Sequence, residues 1–117
     1  MIQLSLILFA VAAVGGLTMA IMHFRGISPP KTVLAVLHGL FAASGLVVLL
    51  LALIKTGFGG KAGIALGVLV VAALGGFVLL SYHAKNQKLP SGLVVGHALI
   101  AVAGFLTLLL SEWALLS

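Results

Sequence analysis

The sequence contains no cysteine, which excludes disulfides, thiolate metal sites and cysteine nucleophiles. Acidic residues are nearly absent as well, because Glu112 is the single carboxylate side chain. One residue cannot supply the carboxylate pair of an acid–base catalyst, and the sequence has no catalytic triad or phosphate-binding loop. A hydrolase or a transferase is therefore not expected.

Charged residues of either sign are too scarce to cover the surface of a water-soluble domain. They make up 6% of the 117 residues, against about 25% in a typical soluble domain. Hydrophobic residues account for 63% of the chain. Such a chain belongs in a lipid bilayer, and we expect an integral, multi-pass membrane protein.

The basic residues lie in the short gaps between apolar segments. Six Lys and Arg against one acid give a formal charge of +5, but they form no basic block that would bind nucleic acid. Two gaps on one side of the membrane carry four of them and the third gap carries two: Arg25, Lys31, Lys85 and Lys88 against Lys55 and Lys61. Because cytoplasmic loops carry the excess of basic residues, we expect both termini outside the cytoplasm, in a bacterial inner membrane.

Four apolar segments lie at roughly 2–24, 32–54, 62–82 and 92–113. Each has about the 20 residues that a helix needs to cross the hydrocarbon layer. Short loops make neighbouring helices antiparallel partners. The sequence therefore predicts a single all-α domain over 1–117, an integral-membrane up-down four-helix bundle. The first segment lacks the basic start of a signal peptide, so we expect it to be a membrane span.

The chain contains an internal repeat of two helices, about 1–58 and 59–117. Residues 34–50 and 93–109 are identical at eight of seventeen positions, and VAAVGG at 11–16 matches VAALGG at 71–76. Because each unit crosses the membrane twice, both copies insert in the same direction. We expect two parallel repeats related by a pseudo-twofold axis along the membrane normal, with equivalent residues facing each other across it.

Four histidines occupy equivalent positions in the two repeats and lie toward one membrane face. His23 and His83 end the first and third segments. His38 and His97 lie five to seven residues into the second and fourth segments, or about 8–10 Å deep at 1.5 Å per residue. An imidazole buried in lipid costs several kcal/mol unless its polar atoms are satisfied, which favours a functional role for these residues.

An iron porphyrin, a bare metal ion, another side chain or water could satisfy these rings. Two neutral imidazoles on opposite helices are the ligand set of a six-coordinate b-type haem. Glycines at similar depth would leave room for a flat porphyrin, although the same glycines also suit close helix packing: Gly16, Gly45, Gly76 and Gly104. Basic residues at the same end would bind the haem propionates: Arg25, Lys31, Lys85 and Lys88.

This pattern resembles the bis-histidine transmembrane b-type cytochromes, in which histidines on helices that are not sequence neighbours hold the haem. The pairing of His23 with His83 and of His38 with His97 is similar to the four-histidine, ascorbate-reducible kind. That kind places its haems toward opposite faces, whereas the four histidines here lie toward one. The resemblance implies membrane electron transfer through one haem b at His38 and His97, or two haems if His23 and His83 hold the second.

As an enzyme, this chain would be a membrane oxidoreductase, and its expected partners are a quinone or another redox protein. It would act alone, as a homo-oligomer or as a subunit of a complex. One alternative is a transition-metal-binding or transport protein in which the histidines gather zinc or copper. Another is an accessory subunit whose polar residues dock a larger membrane complex.

Overall fold

The computed structural model describes residues 1–27 and 31–116, with side chains through Trp113. It contains four α-helices: α1 Ile2–Phe24, α2 Thr32–Thr56, α3 Gly60–Ala84 and α4 Ser91–Leu116. Each helix is long and apolar enough to cross a membrane. The all-helical prediction is confirmed for this part of the chain, and the four helices indicate a multi-pass membrane protein.

The first and third helices end in the same kind of turn. The backbone N–H of Ile27 donates to the carbonyl of Met22, five residues earlier, and Gln87 donates in the same way to Tyr82. Between donor and acceptor, the backbone turns left-handed at Gly26 (φ 88°) and at Asn86 (φ 55°). These are the two residue types that adopt this conformation most readily, so both helices stop at a defined residue.

Each helix packs against two others. The contacts between α1 and α2 and between α3 and α4 are the most extensive, and smaller contacts join α1 to α4 and α2 to α3. Diagonal partners are therefore α1 with α3 and α2 with α4. Helices α2 and α4, which carry His38 and His97, therefore face each other across the centre of this arrangement.

An apolar core occupies the end of the molecule at which α1 and α3 begin. Its buried members come from all four helices: Phe9, Leu49, Leu53, Ala65, Leu69 and Leu108. Two glycines let the larger side chains enter, because a Cβ at Gly45 would lie 2.8 Å from the ring of Phe9 and a Cβ at Gly104 would lie 2.7 Å from Leu69. This close packing is how membrane helices associate, since lipid offers no hydrophobic drive between them.

The outward surface is apolar along all four helices. Val14, Phe77 and Leu99 are 68%, 65% and 65% exposed, and many other large hydrophobic side chains face outward with them. In water this exposure would oppose folding, whereas hydrocarbon solvates these side chains as well as a core does. The exposed surface therefore agrees with the membrane assignment made from composition.

Candidate functional site

The ring of His38, on α2, packs directly against the backbone of α1. Its Nδ1 lies 2.7 Å from the carbonyl oxygen of Ala12. The approach depends on two glycines one turn further along α1. A Cβ at Gly16 would lie 2.9 Å from Cε1 of the ring, and a Cβ at Gly15 would lie 3.6 Å from the Cβ of His38. Any side chain at Gly16 would force the ring to move.

An equivalent contact joins α4 to α3. Nδ1 of His97, on α4, lies 2.7 Å from the carbonyl oxygen of Ala72 on α3. A Cβ at Gly76 would lie 3.2 Å from Cε1 of this ring, and a Cβ at Gly75 would lie 3.6 Å from its Nδ1. The matching VAAVGG and VAALGG segments thus provide equivalent docking places for two equivalent histidines.

These contacts determine which ring nitrogen carries the proton. A carbonyl oxygen can only accept, so Nδ1 of His38 and of His97 must donate. In the neutral imidazole the other nitrogen, Nε2, then keeps its lone pair. Within the described part of the chain, Nε2 of neither ring has a hydrogen-bond partner. Each ring therefore offers an unused electron pair on a side chain whose orientation is already fixed.

The two rings meet at the centre of the four helices. Their centroids are 6.2 Å apart and their planes are nearly perpendicular, at 86°. A metal ion that takes one imidazole nitrogen on either side, at about 2.0–2.1 Å each, separates the ring centroids by roughly 6 Å. The donors are also of the right kind, since a ligating histidine usually donates its other N–H to a carbonyl or carboxylate. The pair matches bis-imidazole coordination in donor type and in the distance between ring centroids.

The other two histidines contact hydroxyl groups at the end of the molecule where α1 and α3 end and α2 and α4 begin. Nε2 of His23, on α1, lies 2.9 Å from Oγ of Ser91 on α4, and Nε2 of His83, on α3, lies 3.4 Å from Oγ1 of Thr32 on α2. His23 is buried, and Nδ1 of both rings is buried without a hydrogen-bond partner. These contacts join one repeat to the other, whereas those of His38 and His97 lie within a repeat.

The four histidines do not form one cluster. Among the described side chains, no group of three or more His, Cys, Asp or Glu residues could hold a metal ion. A site that gathers zinc or copper on three or four histidines therefore has no support in this geometry. The pair at His38 and His97 is the arrangement that remains for a metal or a metal-containing cofactor.

The glycines proposed to clear space for a porphyrin contact side chains of this chain. Gly16 and Gly76 lie against the rings of the histidine pair, and Gly45 and Gly104 lie deeper, against Phe9 and Leu69 of the apolar core. Close packing accounts for all four glycines, and their role around a porphyrin stays a prediction.

The four basic residues named for the propionates lie at the histidine end, where all are exposed. Arg25 and Lys85 follow the last residues of α1 and α3, and Lys31 precedes α2. Lys88 lies in the segment before α4. Their positions match the expected end of the molecule, and their binding of propionates stays a prediction.

No family model, curated protein or solved structure matches this chain. Sequence reasoning missed the partners of the histidines, namely the carbonyl oxygens of Ala12 and Ala72 and the hydroxyls of Thr32 and Ser91. The repeated Ala-x-x-x-Gly-type spacing, at 12/16 and 72/76, was the available signal for the two carbonyls.

Proposed function

We propose that this chain is a membrane electron-transfer protein that holds one haem b between His38 and His97. The observation that carries this function is the pair of rings at 6.2 Å, each with its Nδ1 donating to a helix carbonyl and its Nε2 unused. Two neutral imidazoles on opposite sides are the axial ligands of a six-coordinate b-type haem.

The chain contributes the position and the protonation of both ligands. The carbonyls of Ala12 and Ala72 hold each imidazole as the tautomer that can bind iron. A hydrogen bond from the distal ring nitrogen to a carbonyl also raises the basicity of the coordinating nitrogen. Because the glycines beside the rings leave little freedom of rotation, both ligands are oriented before any cofactor arrives.

A haem b held by His38 and His97 would supply one-electron transfer at this site. The basic residues at the histidine end would pair with its propionates through charge-assisted hydrogen bonds: Arg25, Lys31, Lys85 and Lys88. The apolar surroundings would exclude water from the ligand pair.

One haem is favoured over two by the contacts of the outer histidines. His23 and His83 place their Nε2 atoms against Ser91 and Thr32, so a second haem would need both contacts to be exchanged. These hydroxyl contacts instead suit a structural role in joining the two repeats. We therefore assign the cofactor to the inner pair alone.

The proposed setting is an up-down four-helix bundle of two parallel repeats in a bacterial inner membrane, with both termini outside the cytoplasm. The identical turns after α1 and α3 and the equivalent histidine–carbonyl contacts support the parallel repeats. One haem in one leaflet does not span the ~30 Å hydrocarbon core. A quinone or another redox protein on the histidine side is therefore the proposed partner.

The test is the absorption spectrum of the protein extracted in mild detergent and reduced. We expect a Soret band and an α band of a low-spin b-type haem, with about one haem per chain by pyridine extraction. His38→Ala and His97→Ala should each abolish the low-spin spectrum, because a single histidine ligand cannot keep the iron six-coordinate. His23→Ala and His83→Ala are the matched controls and should retain it.

A protein without a Soret band, purified from cells supplied with haem, would rule out the cytochrome function. Elemental analysis of the same sample identifies the alternative, because bound zinc or copper without porphyrin would point to a metal-binding protein. The assignment to the inner pair alone would be contradicted if the unaltered chain bound two haems and His23→Ala or His83→Ala lost one of them.

A further inference from the structure

A cavity of about 310 Å³ lies at the end of the molecule opposite the histidines, between α1, α2 and α4. Four polar side chains and three apolar ones contribute to its walls: Gln3, Lys55, Thr56 and Glu112, with Met1, Ile2 and Ala52. Its volume is at the lower end of the range for small-molecule sites. The haem proposal makes no use of this cavity.

Glu112 is the chain's single acid, and it is buried here with little compensation. Its side chain is 9% exposed, and among the described residues its hydrogen-bond partner is the amide of Gln3, at a long 3.4 Å. An ionised carboxylate in such surroundings needs a cation with good hydrogen-bond donors. The amide of Gln3 is neutral, so the charge of Glu112 is not balanced by this contact.

Lys55 lines the same cavity, yet the described residues include no ion pair between it and Glu112. Two opposite charges therefore share one cavity without neutralising each other directly. A ligand that carries both an ammonium and an anionic group would satisfy Glu112 and Lys55 together. A bare metal ion is not favoured, because the described side chains include no group of three ligating residues.

Glu112 and Gln3 have no polar counterparts at the equivalent positions of the other repeat. In the internal repeat alignment, the position of Glu112 corresponds to Leu53 and that of Gln3 corresponds to Gly63. Leu53 is 2% exposed in the apolar core, and a Cβ at Gly63 would collide with the carbonyl oxygen of Phe58. The equivalent place in the other repeat therefore lacks both the carboxylate and the amide.

The cavity also lies where lipid headgroups are expected. Trp113, next to Glu112, is 69% exposed, and Phe58, just beyond α2, is 53% exposed. Exposed aromatic residues at the ends of membrane helices lie at the level of the headgroups, and Trp is especially enriched there. A ligand with a charged head would reach the cavity from the surrounding bilayer.

We propose that this cavity binds a phosphoethanolamine zwitterion, supplied by the headgroup of a phosphatidylethanolamine lipid. The primary ammonium donates to the carboxylate of Glu112, and the phosphate accepts from Lys55. An ammonium has three N–H donors, whereas the quaternary ammonium of phosphocholine has none. Phosphoglycerol offers no cation, so the site selects phosphoethanolamine over both common alternatives. This inference goes beyond the haem proposal and does not depend on it.

Trp113 supplies the measurement, because it is the only tryptophan and adjoins Glu112. The full chain is reconstituted in vesicles that contain a few per cent of lipid with brominated acyl chains, which quench tryptophan on contact. We expect brominated phosphatidylethanolamine to associate about tenfold more strongly than brominated phosphatidylcholine, the ratio that one charge-assisted hydrogen bond provides. Soluble phosphoethanolamine is added as competitor, which separates lipid from free headgroup as the source.

Glu112→Gln keeps the shape of the side chain and should reduce the preference to within about twofold, since the charge is lost. Lys55→Gln is the second variant. It should weaken the association of both phosphatidylethanolamine and phosphatidylcholine, because both lipids carry the phosphate. Lys61→Gln, at the same end of the molecule but outside the cavity lining, is the matched control and should change neither. Equal quenching by the two lipids in the unaltered chain, or a preference that survives Glu112→Gln, would overturn the site. Competition by soluble phosphoethanolamine would support the same headgroup chemistry.

Discussion

Replacing Gly16 by alanine tests the contact on which the histidine pair depends. The added Cβ would lie 2.9 Å from Cε1 of His38, whereas ordinary contacts begin near 3.4 Å. The ring must therefore move by about half an ångström, away from a carbonyl that now lies 2.7 Å from its Nδ1. Overpacking of this kind costs about 1–3 kcal/mol, and weakening the hydrogen bond adds up to about 1 kcal/mol.

Gly39→Ala is the matched control, because Gly39 adjoins His38 and a Cβ there would meet nothing within 4 Å. Both substitutions gain the same helix propensity, so that gain cancels in the comparison. We expect the free energy of unfolding of Gly16→Ala to be about 1–4 kcal/mol below that of Gly39→Ala. Gly76→Ala should lie between them, since its Cβ would be 3.2 Å from Cε1 of His97.

The assay is unfolding in mixed micelles, followed by far-ultraviolet circular dichroism, on protein without added haem. Haem titration of the same three variants then measures the ligand pair separately, and the affinities should fall in the same order. If Gly16→Ala and Gly39→Ala have the same free energy of unfolding, the ring of His38 does not pack against α1. Its Nδ1 would then not donate to Ala12, and the assignment of its tautomer would be wrong.

Two further substitutions test other contacts. Ser91→Ala removes the hydroxyl that His23 contacts at 2.9 Å and should lower the free energy of unfolding by about 0.6–1 kcal/mol in the same assay; an unchanged value would show that this contact does not stabilise the protein. Gly63→Ala should destabilise by more than about 1 kcal/mol relative to Gly67→Ala, because only the first Cβ meets backbone, the carbonyl of Phe58. Equal stabilities for this pair would contradict the tight start of α3.

Most of the helical structure was predictable because the membrane imposes a simple length rule on the sequence. The predicted segments differ from the helices by at most two residues at their starts, and α2 and α3 extend past the predicted bounds near Lys55 and Lys61. A lysine ends an apolar segment in the sequence, yet its long side chain can reach water while its backbone remains helical. Hydropathy alone therefore shortens helices at such positions.

The histidine pair was accessible from the sequence, and its surroundings were not. The repeat indicated that His38 and His97 would face each other, because equivalent residues meet across a twofold axis. Their acceptors are backbone carbonyls, which every residue has, so no residue type marks Ala12 or Ala72 as partners. Glu112 and Trp113 are adjacent in the sequence, yet the first is 9% exposed and the second 69%, because neighbouring residues lie on different faces of a helix.

Each inner histidine, His38 or His97, contacts the helix that precedes its own in the sequence. This order has a consequence for biosynthesis. Because α1 precedes α2 and α3 precedes α4, each imidazole enters the bilayer after the carbonyl that receives its N–H has been synthesised. Neither ring has to wait for the other half of the polypeptide to be oriented. Each helix pair would thus carry the acceptor for its own polar ring during insertion, and association of the two pairs brings the rings of His38 and His97 together.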